Sequence, residues 1–261
     1  MNNSDLAAKE HWRKVYEGPR STGAGEWVPV SHEDLALEHM LMKVIEGNRP
    51  ASILEIGCGD SVWLPYLSKR LGLELAGMDY SEEGCALARR RLAAAGVHAP
   101  VYCADLFVAD PADVGMYDFV YSLGVVEHFS NLEDVLSHML KFVRPGGILL
   151  AEVPNLRSVH GLLMWMYQPL ILAKHVSLSK KRLENAFLKL SMHDIDSGCL
   201  GLFSLGIVSW GHSPRFQVLD ALLLPVMKKA RVALRVLLGR IRFYRGLSLL
   251  SPFLYVTGRK G

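Results

Sequence analysis

The chain has 261 residues, of which half are hydrophobic, so it is long enough for one large domain, or for one domain with a cap. This composition excludes an intrinsically disordered chain. The formal net charge of +3 is too small to indicate nucleic-acid binding. The four cysteines include no CxxC pair, so we expect neither a zinc site nor a disulfide framework.

The N-terminal segment MNNSDLAAKEHWRK is polar, and no stretch of the chain reaches the ~18 consecutive apolar residues of a membrane span. We therefore expect no signal peptide and no transmembrane helix, and we expect a cytoplasmic protein.

Residues 51–153 alternate between short apolar runs and amphipathic segments. The predicted strands are Ser52–Ile56, Glu74–Met78, Pro100–Cys103, Tyr117–Tyr121 and Ile148–Val153. The predicted helices are Glu33–Glu46, Trp63–Leu71, Glu82–Ala94, Leu132–Val143 and, later in the chain, Lys180–Leu190. Such alternation indicates a parallel sheet with helices on both faces, in which ligands bind beyond the carboxyl ends of the strands.

The first predicted strand ends in Glu55-Ile56-Gly57-Cys58-Gly59. Two glycines one residue apart allow a sharp turn and a close approach of the backbone to a ligand, although an ordinary tight turn has the same pattern. Val62 stands where a dinucleotide-binding motif has its third glycine. The carboxylate of Glu55 would repel a pyrophosphate and would suit a positively charged ligand.

The ends of the next strands carry further polar groups. Asp79 ends the second strand, where a carboxylate can accept hydrogen bonds from both hydroxyls of a ribose. Its alternative role is to cap the next helix, although Ser81 is better placed to do so. Asp105, after the third strand, is either an acceptor for the amine of a base or a turn residue. A Ser/Gly loop, Ser122–Gly124, follows the fourth strand. Together these ends indicate a pocket for a cationic nucleoside rather than for NAD or ATP.

The segments ILEIGCGDS, MDYS, CADLF, YDFVYSLGVVEHF and RPGGILLAEVPN resemble, in order and spacing, the motifs of class I S-adenosylmethionine-dependent methyltransferases. The small-molecule group that includes the ubiquinone-biosynthesis O-methyltransferases is the most similar. The resemblance covers residues 50–155, and the segment FLYVTGRK near the C-terminus resembles the final antiparallel strand of that family.

The resemblance implies an α/β fold with a Rossmann-like, seven-stranded, mostly parallel sheet and a helical cap inserted after strand five. Residues 1–48 would form a helical lid or substrate segment, and residues 49–155 the S-adenosylmethionine-binding core. Residues 156–250 would form the acceptor-side cap with strand six, which we expect at Gly206–Trp210, and residues 251–261 the last strand. In the cap, Trp165, Met166 and Tyr167 would line an apolar acceptor pocket or form a helix packed on the sheet.

The resemblance also assigns cofactor-binding residues. It places Glu55, Gly57 and Gly59 beside the methionine part of the cofactor and Asp79 on the ribose. Tyr80, Asp105 and Leu106 would contact the adenine, and Ser122 and Leu123 the sulfonium side. Cys58 and Ala104 complete the predicted set. Trp63 lies in a segment where many members of that family have small residues. It would either narrow the entrance to the cofactor site or begin the next helix.

Methyl transfer from a sulfonium is an in-line displacement, so the enzyme must align the reactants and exclude water. A hydroxyl acceptor benefits from a general base, for which His128 and the adjacent Glu127 are candidates; otherwise His128 caps or packs the following helix. Four later histidines would either enter the site from a lid or, as is more typical, have structural roles; they are His160, His175, His193 and His212. No group of residues has metal-ligand spacing, so we predict no metal site.

The stretch Leu219–Arg245 combines apolar residues with basic residues at helical spacing. This pattern indicates a helix that contacts an anionic membrane surface or an anionic acceptor, or else the solvated face of a core helix.

We therefore expect a methyltransferase that uses S-adenosylmethionine to methylate an oxygen, less favourably a nitrogen or carbon, of a small or lipid-like acceptor. Alternatives are a methyltransferase for a sugar or a cell-envelope glycan, and a non-catalytic regulatory domain that binds S-adenosylmethionine. A dehydrogenase is disfavoured by Val62 and Glu55.

Overall fold

The structure is a computed structural model that describes residues 5–17, 27–201 and 248–261. Its strands are Ser52–Ile56 (β1), Glu74–Asp79 (β2), Val101–Cys103 (β3), Tyr117–Leu123 (β4), Val143–Pro154 (β5), His193–Leu200 (β6) and Phe253–Arg259 (β7). These seven strands form one sheet in the order β3-β2-β1-β4-β5-β7-β6. β1 to β5 pair in parallel, and β7 runs antiparallel to both β5 and β6. The predicted seven-stranded, mostly parallel sheet is confirmed.

Helices of the described residues connect and cover these strands. They are Ala8–Glu17 (α1), His32–Asn48 (α2), Trp63–Leu71 (α3), Glu82–Ala94 (α4), Pro111–Val114 (α5), Leu132–Leu140 (α6), Val159–Tyr167 (α7), Pro169–Leu172 (α8) and Lys180–Lys189 (α9). A single 3₁₀ turn, Val126–His128, follows β4. Trp63 begins α3, where it packs edge-on against Trp27 at a ring separation of 4.9 Å.

Short polar side chains set the starts of the longer helices. Ser31 caps α2 and forms a reciprocal capping box with Asp34. Ser81 caps α4 by accepting a hydrogen bond from the backbone N–H of Gly84. Asp79 is therefore not the cap of this helix, and its carboxylate remains at the end of β2.

The core has two layers, one on each face of the sheet. On one face, α2, α3 and α4 bury apolar residues such as Leu41, Leu64 and Ala88 against β1 and β2. On the other face, α6 and α9 contribute residues such as Leu136 and Phe187. Every residue of β1 is buried, as expected for a central parallel strand. This packing fixes the carboxyl ends of β1, β2, β3 and β4 along one edge of the sheet.

The sixth strand of the described sheet is His193–Leu200, which the sequence did not predict. Its polar sequence HDIDSGCL lacks the apolar alternation of a typical strand, and pairing with β7 holds it in the sheet. The strand that we predicted at Gly206–Trp210 lies outside the described residues, as do Leu219–Arg245 and His212. In the described part of the chain, no helix is long and apolar enough to cross a membrane.

Candidate active site

A cavity of about 460 Å³ opens at the carboxyl ends of the central strands, between the sheet and α1. Seven of the eleven residues predicted to bind the cofactor line it: Gly57, Asp79, Tyr80, Ala104, Asp105, Leu106 and Leu123. The other four do not line it, and three of them, Glu55, Cys58 and Ser122, are buried side chains. The fourth, Gly59, lies under a tyrosine of α1.

The carboxylate of Asp79 is fixed by two backbone donors. Its Oδ2 accepts a hydrogen bond from the N–H of Gly59 at 2.9 Å, and its Oδ1 accepts one from the N–H of Ser81 at 2.8 Å. Burial raises the pKa of Asp79, while these hydrogen bonds oppose the rise. Each oxygen keeps a further lone pair, so the carboxylate can still accept hydroxyl donors from a ligand in the cavity.

The glycine turn after β1 brings the backbone close to the cavity. Gly57 has a φ of 77°, and a Cβ there would collide with the side chain of Val125. The N–H groups of Gly57 and Cys58 both donate to the carbonyl of Met78, which ties this turn to β2. At Gly59, a Cβ would collide with the hydroxyl end of Tyr16.

Glu55 lies beneath this turn rather than in the cavity wall. Its Oε2 accepts hydrogen bonds from the hydroxyls of Tyr121 and Ser61, at 2.9 and 2.8 Å. Burial is the main cause that raises the pKa of Glu55 to about 8. Glu55 is therefore mostly protonated at neutral pH, so its predicted charge complementarity to a cation depends on the loss of that proton.

Helix α1 covers the cavity and supplies residues that the sequence did not identify. Lys9, Trp12 and Tyr16 of α1 line the cavity, as does Asp5, which precedes the helix. The ring of Trp12 stacks with Tyr16 at 5.9 Å and meets His128 edge-on at 5.0 Å. Aromatic residues in an otherwise polar N-terminal segment are the signal that could have located these contacts.

His128 stands at the end of the cavity that follows β4. Its Nδ1 lies 2.9 Å from the carbonyl oxygen of Lys174, which can only accept a hydrogen bond. Nδ1 therefore carries the proton, and Nε2 carries a lone pair. Burial is the main cause that lowers the pKa of His128 to about 4, which keeps the ring neutral at pH 7.

Two further groups lie next to His128. Oε1 of Glu127 is 3.9 Å from Nε2 of His128, and the His175 ring is centred 4.5 Å from the His128 ring. Burial raises the pKa of Glu127 to about 8. The pKa of Glu152 is also raised, first by burial and then by the charge of Glu127. Spacing along the sequence gave no sign of this grouping, because His175 belongs to the segment after β5.

The other predicted candidates lie apart from the cavity. His160 is buried and lies 3.0 Å from the hydroxyl of Ser158, in a structural role at the start of α7. His193 is exposed at the start of β6. Trp165 on α7 is 65% exposed and does not line the cavity.

The residues around this cavity fit a positively charged nucleoside. Among the described lining residues there are three carboxylates, those of Asp5, Asp79 and Asp105, and one ammonium, that of Lys9. The tight turn at Gly57 admits a close ligand, and Leu106 offers an apolar surface for a base. At the start of α3 the N–H groups of Trp63 and Leu64 both donate to the hydroxyl of Ser61, at 3.1 and 3.3 Å, so this helix start does not offer them to a phosphate.

Comparison with known proteins agrees with this geometry. A family model described as a methyltransferase domain matches residues 31–191. The ubiquinone biosynthesis O-methyltransferase of Rhizobium rhizogenes is 34% identical over 112 residues, which are 42% of this chain and 43% of that protein. The malonyl-[acyl-carrier protein] O-methyltransferase of Salmonella typhimurium is 32% identical over 109 residues, 42% of this chain and 41% of that protein. The chain thus matches about two-fifths of the length of these curated relatives.

Solved structures show the same fold. The plantazolicin methyltransferase BpumL, in complex with SAH, has a TM-score of 0.59 and 17% identity, over 98% of this chain and 94% of that one. A SAM-dependent methyltransferase from Archaeoglobus fulgidus has a TM-score of 0.54 and 18% identity, over 95% of this chain and 98% of that one.

Fold, site and family model define a class I S-adenosylmethionine-dependent methyltransferase. The chain belongs to the methyltransferase-domain family. The resemblance stated from the sequence is confirmed, as is S-adenosylmethionine as the cofactor of the class. The match to a methyltransferase domain sets a dehydrogenase aside.

Proposed function

We propose that this chain transfers a methyl group from S-adenosylmethionine to a hydroxyl oxygen of a small, apolar acceptor. The observation that carries the proposal is one cavity that joins the carboxylates of Asp79 and Asp105 to the lone pair of His128. The carboxylates suit a cationic nucleoside, and the histidine suits an acceptor that must lose a proton. The names of the curated relatives, both O-methyltransferases, favour oxygen over nitrogen or carbon.

The donor end of the cavity would hold the nucleoside through side chains that are already fixed. Asp79 would accept the ribose hydroxyls, Asp105 would accept the amine of the base, and Leu106 and Tyr80 would flank its ring. Bound S-adenosylmethionine supplies an electrophilic methyl group on a positively charged sulfur. The rings of α1 would close over the site and exclude water.

At the acceptor end of the cavity, apolar side chains surround the basic atom Nε2 of His128. Trp12 and Phe129 line it together with His128. The acceptor oxygen would form its bond to the methyl carbon as the carbon–sulfur bond breaks and the electron pair stays on sulfur. The acceptor's proton would pass to Nε2 of His128, and S-adenosylhomocysteine would leave uncharged. The low pKa of His128 keeps Nε2 unprotonated at neutral pH, so Nε2 is free of a proton when the acceptor arrives.

A panel of acceptors tests this proposal. The purified chain is mixed with S-adenosylmethionine and with matched phenols, catechols, amines and sugars, and S-adenosylhomocysteine formation is measured. We expect turnover with apolar hydroxyl acceptors. Turnover with the amines alone, or with sugars alone, would contradict the proposed acceptor, and the latter would favour a methyltransferase of sugars or cell-envelope glycans.

A lipid-like acceptor would bring the protein to a membrane surface. Exposed apolar side chains on α7 and α8 support this: Leu162, Trp165 and Leu170 are 58%, 65% and 82% exposed. The basic stretch Leu219–Arg245 stays a predicted contact with anionic lipid. Sedimentation with anionic liposomes at low salt tests both, and a protein that stays in the supernatant would contradict membrane contact.

A further inference from the structure

Two thiols meet where β3 ends, beside the nucleoside end of the cavity. Cys85 lies in α4 and is buried, whereas Cys103 is the last residue of β3 and is exposed. Ala104 and Asp105, which follow Cys103, line the cavity. We infer that a small-molecule disulfide oxidises Cys85 and Cys103 to an internal disulfide, and that this bond weakens the binding of S-adenosylmethionine.

Backbone contacts place the sulfur of Cys85 against the end of β3. Sγ of Cys85 donates to the carbonyl of Asp79 at 3.3 Å and also faces the carbonyl oxygen of Tyr102 at 3.8 Å. In the parallel pairing of β2 with β3, Asp79 is the partner of Cys103. The sulfur of Cys85 therefore contacts both the peptide group that precedes Cys103 and the residue that pairs with it.

The side chain of Cys103 lies on the face of the sheet that α4 covers. Val101, two residues earlier in β3, packs in the same core layer as Cys85, whereas Tyr102 packs against the other layer. Because side chains alternate between the two faces along a strand, Cys103 points to the same face as Val101. There its thiol is a hydrogen-bond partner of Cys85.

The difference in exposure gives each thiol its own part in the reaction. β3 has three residues and is an edge strand of the sheet, so the thiol of Cys103 is open to a small oxidant. Burial is the main cause that raises the pKa of Cys85 to about 12, and the neighbouring thiol of Cys103 adds to the rise. Since the thiolate is the nucleophile, the first attack belongs to Cys103.

The oxidation proceeds in two exchange steps, here with oxidised glutathione. The sulfur of Cys103 attacks one sulfur of glutathione disulfide, whose S–S bond breaks, and one glutathione leaves as the thiol with the proton of Cys103. The sulfur of Cys85 then attacks that of Cys103, and the second glutathione leaves with the proton of Cys85. Two protein thiols become one disulfide, and the small disulfide is reduced to two thiols. The contact between the two cysteines offsets the high pKa of Cys85, because the second step is intramolecular.

A bond between these sulfurs would displace the end of β3. A disulfide holds its sulfurs about 2 Å apart and its Cβ atoms about 3.8 Å apart, closer than two thiols in contact. The cap at Ser81 and the burial of Cys85 hold α4 in place, whereas β3 is a short edge strand. We therefore expect the end of β3 to move towards α4.

This movement acts on the nucleoside end of the cavity. Oxidation removes the proton that Cys85 donates to the carbonyl of Asp79, and it displaces the N–H of Ala104, which donates to the same carbonyl at 2.9 Å. Asp105 then shifts relative to Asp79. The effect on binding rests on the proposed placement of the nucleoside between these two carboxylates, whereas formation of the disulfide does not.

The disulfide is tested first, without a ligand. The full chain is reduced, freed of reductant and incubated with oxidised glutathione, and its peptides are analysed by mass spectrometry without reduction. Wild type is compared with Cys103→Ser, Cys85→Ala and the control Cys199→Ala, whose thiol belongs to β6 at the other edge of the sheet. Circular dichroism identifies any variant that has failed to fold, and the exposed Cys103→Ser then decides.

We expect a linked Cys85–Cys103 peptide in the wild type and in Cys199→Ala. Cys85→Ala should keep glutathione on Cys103, and Cys103→Ser should form neither product. A wild type that keeps glutathione on Cys103 without closing the internal bond, or that joins two chains through Cys103, would overturn the site.

Binding is measured second, by calorimetry with S-adenosylhomocysteine. Oxidation should lower the affinity of the wild type by about tenfold, which lies in the usual range of coupling between two sites, and dithiothreitol should restore it. Cys103→Ser should bind equally well before and after treatment with the oxidant. Equal affinity of the reduced and oxidised wild type, or an equal loss in Cys85→Ala, would overturn the regulatory effect of the disulfide. A chain that forms the disulfide but binds no S-adenosylhomocysteine even when reduced would contradict the proposed nucleoside site instead.

Discussion

The carboxylate of Asp79 accepts a hydrogen bond from the backbone N–H of Gly59 at 2.9 Å, so the end of β2 is tied to the glycine turn after β1. The N–H of Ser81 binds the other oxygen at 2.8 Å. The carboxylate is thus oriented before any ligand arrives. An oriented carboxylate loses little side-chain entropy when it accepts the hydroxyls of a ribose.

The first prediction concerns Asp79→Asn. The amide keeps the size of the side chain but replaces one acceptor oxygen with a donor and removes the charge. We expect the affinity for S-adenosylmethionine to fall by about 1–3 kcal/mol, the range of lost hydrogen bonds to a charged group. Calorimetry measures this, with Glu46→Gln on α2, which is exposed and does not line the cavity, as the control. Equal affinity in wild type and Asp79→Asn would remove Asp79 from the site.

The second prediction uses the contact between Gly59 and Tyr16. A Cβ at position 59 would meet the flexible end of the tyrosine side chain, so Gly59→Ala should push α1 away from the cavity. We expect faster hydrogen exchange in α1 and a loss of about 1–3 kcal/mol in S-adenosylhomocysteine affinity, the scale of an overpacked contact. Gly47→Ala, with no atom near its Cβ, is the control.

The same substitution in a Tyr16→Ala background separates two causes. If the methyl group acts on Tyr16, it should have no further effect once the ring is gone. An equal loss of affinity in both backgrounds would show that the methyl group meets the ligand itself.

Much of the central sheet was predictable from the sequence because its elements have strong local signals. The strand Ser52–Ile56 has the predicted bounds because a glycine turn ends it. The helix Glu82–Ala94 also has the predicted bounds, because Ser81 caps its start. Strand β6 was not predictable, because pairing with β7 rather than its own polar sequence makes it a strand.

The site was predictable where it depends on strand ends and not where it depends on packing between distant segments. Asp79 and Asp105 line the cavity because the ends of parallel strands meet at one edge. The contact of Trp12 with His128 and the approach of His175 depend on how α1 and the segment after α8 pack over that edge. No spacing along the chain encodes those contacts.

The third prediction concerns His128 as the acceptor-side base. His128→Ala should lower kcat by about 10²–10⁴-fold, the usual contribution of a positioned base. The affinity for S-adenosylmethionine should change little, because Asp79 and Asp105 are untouched. Steady-state kinetics and calorimetry measure the two quantities, and His98→Ala is the matched control. Full turnover in His128→Ala would exclude it as the base.

The last prediction concerns stability and pH. Burial raises the pKa of Glu55 from 4.5 to about 8, so the folded protein holds a proton that the unfolded chain releases above about pH 4.5. The stabilisation linked to this proton is complete below that pH and is lost as the pH rises through about 8. As the pH rises from 5 to 8, we expect the titration of Glu55 to lower the free energy of unfolding by an amount on the order of a few kcal/mol.

Urea denaturation at several pH values tests this. The free energy of unfolding should depend less on pH in Glu55→Gln, which keeps an oxygen for Tyr121 and Ser61. Parallel pH curves for variant and wild type would mean that Glu55 titrates normally in the folded protein.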